Sequence, residues 1–135
     1  MNRQTVSTGT EWESHVGYSR AVRLGPHVYV SGTTAIGEEG AFAGSDDPYK
    51  QTIQALENIE KALQGVNTGM SDVVRSRMYV TDIDNWEEIG RAHGEVFSEI
   101  CPATSMVEVN QLIEPEMLVE IEVDALVTSD NTDTV

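Results

Sequence analysis

The sequence predicts an α+β domain in which two helices pack on one face of a sheet. Two observations carry that reading: two helical segments, each with a start signal and one apolar stripe, and strand-period alternation that is clearest in Leu118–Val127. Their order is strand, strand, helix, strand, helix, strand, strand, which leaves one sheet face half polar and in need of water or another subunit. A chain of 135 residues with 39% hydrophobic content reads as a single domain over residues 1–135, able to bury a core but not a deep one.

Met1 to about Gly9 is polar and expected to be loose, and Asn131–Val135 is an acidic tail expected to fray, so the ordered core is placed at about residues 10–128. Tyr18–Leu24 reads as the first strand, with Tyr18, Arg20, Val22 and Leu24 on one face. Gly25-Pro26 turns the chain into a second strand, His27–Ser31. A third short strand is expected around Thr33–Ile36, before a loop from Gly37 to Gly44. Asp47 is placed to cap the first helix, with Pro48 at its first position and Gly65 at its end. Tyr49, Ile53, Leu56, Ile59 and Leu63 form its apolar face.

Val73–Thr81 alternates, with Val74, Ser76, Met78 and Val80 on one face. The second helix is expected to begin at Asp84, with Glu87 completing a capping box, and to carry Trp86, Ile89, His93 and Val96 on its apolar side. Ser105–Leu112 and Leu118–Val127 close the chain. In the latter, Val119, Ile121, Val123, Ala125 and Val127 face one way, and Glu120, Glu122 and Asp124 the other.

Eight basic residues against 23 acidic ones give a net charge of −15. Affinity for phosphate backbones comes from Lys and Arg, so this balance argues against nucleic acid, and equally against anionic membranes. Lysine is confined to Lys50 and Lys61. The surface is either plainly acidic or a halophilic adaptation to a salt-rich cytoplasm, where self-repulsion is screened. On the second reading the melting temperature rises between low and molar KCl; an unchanged or lower value in high salt counts against it.

The lone Cys101 excludes an intrachain disulfide. No apolar run approaches the roughly 18 residues of a membrane span. The start, Met1-Asn2-Arg3-Gln4, has no signal-peptide core, so a cytoplasmic protein is expected. His15, His27 and His93 have no metal-ligand spacing, and no metal site is expected. Asp82-Ile83-Asp84 starts like a calcium loop but lacks its glycine. No phosphate-binding glycine loop and no nucleophile elbow is present.

Several segments, taken in order, resemble the Rid family, the YjgF-like or RidA-like reactive intermediate deaminases. They are Gly17-Tyr18-Ser19-Arg20-Ala21-Val22, Val30-Ser31-Gly32, Gln51 through Ala55-Leu56-Glu57-Asn58-Ile59, Val80-Thr81-Asp82-Ile83 with Phe97, and Cys101-Pro102-Ala103-Thr104-Ser105-Met106-Val107-Glu108-Val109 leading to Val119-Glu120-Ile121-Glu122. The likeness runs from about Gly17 to Val127. It implies a chorismate-mutase-like six-stranded mixed sheet with two helices on one face. It also implies a homotrimer whose sheets form a central barrel, with small-molecule clefts between subunits. The activity implied is hydrolysis of enamines and imines to ketoacids and ammonia, with no metal or organic cofactor. This chain departs from the pattern at one place. Deaminating members read Pro-Ala-Arg where it reads Pro102-Ala103-Thr104, and the family arginine grips the substrate carboxylate.

Imine hydrolysis needs an anchor, a positioned water and a route for protons. The resemblance gives Glu120 the water-activating role; composition alone makes it one of three acids on a solvated strand face. Tyr18 matches a cleft tyrosine, or packs at a subunit seam. Ser31 matches a cleft serine, or serves the turn before Gly32. By the resemblance Asp84 falls where many members place an asparagine near the cleft, though a helix-capping role suffices for it. Thr104 and Ser105 offer hydroxyls where the arginine would stand, and these suit a neutral ligand better than an anion. Arg20 shares a face with Tyr18 and is the candidate to replace the missing guanidinium; an ion pair in an acidic protein explains it as well. Two functions therefore stay open: an imine or enamine hydrolase of altered specificity, and a non-catalytic metabolite-binding module. An RNA-cleaving protein is disfavoured by the charge.

Overall fold

The computed structural model describes residues 1–37 and 46–128. Most of the expected Gly37–Gly44 loop and the acidic tail lie outside the described residues. Strands β1 (Arg3–Val6), β2 (Ala21–Leu24) and β3 (His27–Thr33) lead to helix α1 (Pro48–Gly65). Strand β4 (Val73–Val80), helix α2 (Trp86–Phe97) and strands β5 (Ala103–Glu108) and β6 (Val119–Leu126) follow. They build one six-stranded mixed sheet in the order β1-β2-β3-β6-β4-β5. Only β4 and β5 pair in parallel; the other neighbours are antiparallel. β6 runs antiparallel to both β3 and β4, so α1 is the crossover between two parallel strands with β6 inserted between them.

Both helices cover one face. Leu56, Ile59 and Leu63 of α1 and Ile89 and Phe97 of α2 are fully buried with Val28, Met78, Val80, Val119, Ile121 and Val123 of the sheet. Each large apolar side chain taken out of water there contributes about 1.5–3 kcal/mol. Asp47 caps α1 as expected: its Oδ1 accepts from the Tyr49 and Lys50 amides at 3.0 and 3.1 Å. One turn on, buried Gln51 pins the entry to β6. Its Nε2 donates to the Glu116 carbonyl at 2.9 Å and its Oε1 accepts from the Leu118 amide at 2.8 Å. That clamp fixes where Glu120 emerges.

Several expectations are corrected. Residues 3–6 are not loose but form the edge strand β1, paired to β2 from Arg3↔Leu24 to Val6↔Ala21. The first expected strand is shorter, because a π-helical turn over Glu13–Gly17 precedes it and Gly17 takes a φ of 92°. Tyr18, Ser19 and Arg20 are an irregular lead into β2. β3 runs on through Thr33, so Thr33–Ile36 is not a separate strand. Val74 is exposed, not buried, because the β4–β6 register shifts between Val73 and Arg75. Asp84 does not cap α2. The Asp82 carboxylate accepts from the Asp84 amide at 3.0 Å and starts a 3-10 turn over Ile83–Asn85, which delays the helix to Trp86.

The other sheet face is half polar. Tyr79 donates its hydroxyl to Glu122, and Arg77 reaches Asp124 at 3.4 Å. Tyr29 beside them is half exposed. No helix among the described residues is long and apolar enough to cross a membrane.

Candidate functional site

The site grows from an irregularity between β3 and β6. Val30 pairs with Val123, but the next aligned pair is Thr33 with Ile121, so Ser31 and Gly32 together span Glu122. This bulge lets the Glu120 carboxylate lie against the Gly32 backbone. A Cβ at Gly32 would collide with Glu120 Oε2 and push that carboxylate out of its place, so glycine is what lets it sit there. Burial pushes the Glu120 carboxyl above its ordinary value of 4.5; the Arg20 guanidinium opposes the rise and Glu122 adds to it. The acid looks into a recess of about 340 Å³ with Tyr79, Leu112 and Glu122 in its walls.

Arg20 reaches the same place from the other side. Its Nη2 donates to the Gly32 carbonyl at 2.9 Å and its Nη1 to Thr33 Oγ1 at 3.4 Å. Its Nε faces Glu13 Oε2 at 3.6 Å, an ion pair too long for a hydrogen bond. The Tyr18 ring sits 5.4 Å from the guanidinium carbon, so the expected neighbourhood of Tyr18 and Arg20 is realised although the strand is not regular there. Ser31 Oγ donates to the Ser19 carbonyl at 2.6 Å, and Ser31 and Tyr18 line a neighbouring recess of about 460 Å³. Tyr18, Arg20, Ser31 and Glu120 thus converge on the Ser31–Gly32 bulge. A further cavity of about 300 Å³ lies beyond Arg20, between Trp12 and α1, but none of the other candidates lines it.

Glu13 is not among the candidates the sequence offers, yet it holds this cluster. It is 4% exposed. Ser7 Oγ, the Thr8 amide, Thr8 Oγ1 and Thr10 Oγ1 all donate to its carboxylate, at 2.7, 3.1, 2.5 and 3.1 Å. Burial alone would raise its pKa, but the bonds from Thr8, Ser7 and Thr10 together outweigh it and hold the carboxyl below the usual 4.5.

Thr104, Ser105 and Asp84 do not join the cluster. Thr104 pairs with Ser76 across β5 and β4, and its Oγ1 lies 2.8 Å from Ser76 Oγ, on the helix-covered face. Glu120 pairs with Tyr79 on the opposite face. Ser105 alternates to that open face beside Arg77, but on the edge strand, three strands and roughly 14 Å from Ser31. Asp84 is exposed in the turn before α2. Within one copy, Thr104 and Glu120 are on opposite sides of the same sheet.

Behind Thr104 lies a second group that the sequence reading does not connect. Ser76, fully buried, is 2.8 Å from His93 Nε2 as well as from Thr104. The face assignments contain the signal, since alternation sets Ser76 with Met78 and Val80, and helical spacing sets His93 on the apolar side of α2. No cluster of three or more His, Cys, Asp or Glu side chains that would hold a metal ion occurs among the described residues.

Residues 8–127 match the family model described as endoribonuclease L-PSP. Among curated proteins, the chain is 30% identical over 133 residues to the RutC family protein UK114 of Drosophila melanogaster, covering 98% of this chain and 96% of that one. Among solved structures, a Mycobacterium tuberculosis member of the YjgF/YER057c/UK114 family superposes with a TM-score of 0.86 at 53% identity, covering 93% of this chain and all of that one. A Yersinia pestis protein of unknown function from the Rid family superposes with a TM-score of 0.83 at 29% identity, again over 93% of this chain and all of that one.

Proposed function

The chain belongs to the YjgF or Rid family, whose model is described as endoribonuclease L-PSP, and on that premise we propose that it is a homotrimer binding small metabolites in clefts between its copies. One observation carries the reading. The half-buried acid Glu120 and the anchor position Thr104 lie on opposite faces of one sheet, so only a second copy can bring them to one ligand. The half-polar face with Tyr29, Arg77 and Tyr79 supplies a surface for that contact. Light scattering at micromolar concentration in high salt should give the mass of three chains; a monomer there overturns the assembly and the cleft with it.

In the cleft, Glu120 is the group that handles the proton. Burial beside Gly32 lifts its carboxyl toward the working pH, which suits a group that must both take and return a proton. In imine hydrolysis the Glu120 carboxylate takes a proton from water as the water oxygen adds to the imine carbon. That proton passes to nitrogen to give a carbinolamine; the hydroxyl proton is then carried by Glu120 to the same nitrogen as the carbon–nitrogen bond breaks, releasing ammonia and leaving the carbonyl. Tyr18 and Ser31 border the bulge and contact the ligand; Ser105 and Asp84 belong to the wall supplied by the neighbouring copy. An imine trapped competitively with semicarbazide reads the reaction. Measured in the Thr104→Arg background, where activity is expected, Glu120→Gln should remove the hydrolysis, and a double variant as fast as Thr104→Arg alone refutes the assignment.

A second reading, a binding module without turnover, is favoured by Thr104, which has no charge to orient an anionic substrate. Equal ligand affinity with no hydrolysis of any imine would select it. RNA cleavage is not proposed: at a net charge of −15 the chain has little to release counterions from phosphate. Purified protein is expected neither to retain RNA on a filter nor to cut it. Retention that falls steeply with salt would contradict this.

A further inference from the structure

We propose that His93, Ser76 and Thr104 form a one-way hydrogen-bond wire that makes the Thr104 hydroxyl a donor for a neutral carbonyl oxygen, such as that of an amide. The proposal rests on the small-molecule cleft above and goes beyond it in naming what Thr104 offers and which residues behind it set that offer.

The direction follows from counting protons. Thr104 Oγ1 lies 3.2 Å from the Pro102 carbonyl, which can only accept, so the single Thr104 proton is used there. The 2.8 Å contact between Thr104 and Ser76 then needs the Ser76 proton. The 2.8 Å contact between Ser76 and His93 in turn needs a proton on His93 Nε2. Three contacts and three protons leave one assignment, with every bond pointing from the helix face toward the sheet edge. The reverse tautomer, with Nε2 bare, would leave one of the three contacts without a proton. The surroundings suit a fixed, neutral imidazole. Phe97 packs at 4.6 Å between ring centres, and burial lowers the His93 pKa below 6.5.

The wire has a consequence at its exposed end. The bond to Pro102 is the longest of the three, so a better acceptor can take it over. Successive donors polarise one another, which strengthens the terminal one. Thr104 already accepts from Ser76, so an arriving donor finds it half occupied, whereas an arriving acceptor competes for its proton only with the Pro102 carbonyl at 3.2 Å. With no guanidinium at this position and a net charge of −15, a neutral oxygen is preferred to a carboxylate. Ser76 and His93 are positioning residues here; neither needs to touch the ligand.

Long-range proton–nitrogen correlation on the full-length labelled protein reads the His93 tautomer directly. The expected result is a dominant Nε2–H form at neutral and alkaline pH, which Ser76→Ala converts to a mixture. A dominant Nδ1–H form in the parent overturns the wire, whatever the ligand does. Titrations with pyruvamide and with pyruvate, followed at the Thr104, Ser105 and Glu120 amides, read the site. Pyruvamide should bind more tightly than pyruvate. Ser76→Ala and Thr104→Val should each weaken it roughly fivefold, and Thr104→Ser should stay near the parent. Unchanged pyruvamide affinity in Ser76→Ala defeats the wire while the cleft stands. If neither probe moves those amides in the parent, the cleft reading fails and the donor role falls with it.

Discussion

Thr104→Arg is expected to raise the hydrolysis of imines derived from ordinary amino acids, by roughly 10- to 150-fold over a parent with little or no such activity. The factor is the value of one charge-assisted contact to a substrate carboxylate, about 1.5–3 kcal/mol. Glu120 is already in place beside Gly32, so the substitution adds only the missing orientation, and orientation is part of the rate. Thr104 is exposed on an edge strand, so a long side chain has room to leave the sheet. The rival anchor is Arg20. Its guanidinium is committed to the Gly32 carbonyl, Thr33 and Glu13, and it would have to give these up to grip a ligand. Arg20→Ala measured beside Thr104→Arg separates the two. Parent activity equal to that of an arginine-bearing relative, lost in Arg20→Ala, would show that the anchor had moved. No gain in Thr104→Arg would show that the guanidinium is not what this cleft lacks.

The elements legible in the sequence are those whose own residues carry the signal. Alternation in β6 and the Asp47-Pro48 start of α1 are local, and both are realised nearly to the residue. β1 escapes a sequence reading because Arg3-Gln4-Thr5-Val6 has one apolar residue and pairs only as an edge, with β2 supplying the order. Alternation sets Val74 on the wrong face because a register shift is a property of two strands, and one strand's pattern does not contain it. The same holds at the site. Tyr18, Arg20, Ser31 and Glu120 can be named individually, but the bulge that brings Glu120 onto Gly32 is a mismatch between β3 and β6. Ser76 and His93 each fall on the correct face, and their contact needs the crossover from β4 through α2 to bring them together. That Thr104 and Glu120 take opposite faces is a matter of register across three strands, and it turns a list of cleft residues into a claim about assembly.

Replacing Glu13 should cost the fold more than any other change near the site. Glu13→Ala removes an acceptor that four protein donors share and leaves Arg20 Nε buried without its counter-charge. Breaking a buried ion pair by deleting one partner costs about 3–5 kcal/mol, which for a domain of this size lowers the melting temperature by roughly 10 °C or more. The sequence hint is three hydroxyl residues, Ser7, Thr8 and Thr10, within six positions ahead of Glu13, with Gly9 at a φ of 78° folding the segment back onto it. A pH arm isolates the charge. The folded-state pKa of Glu13 lies below its ordinary 4.5, so its contribution is complete above that value and is lost as the pH falls through the folded pKa. The stability difference between the parent and Glu13→Gln should therefore be flat at neutral pH and shrink in acid. A constant difference into strong acid, or a Glu13→Ala variant melting within a degree or two of the parent, would show that the carboxylate does not hold this corner. If it does, Glu13→Ala also leaves Arg20 held only by the Gly32 carbonyl and Thr33, and the guanidinium that restrains the pKa of Glu120 loses one of its three holds, so fold stability and the titration of Glu120 should change together in one variant.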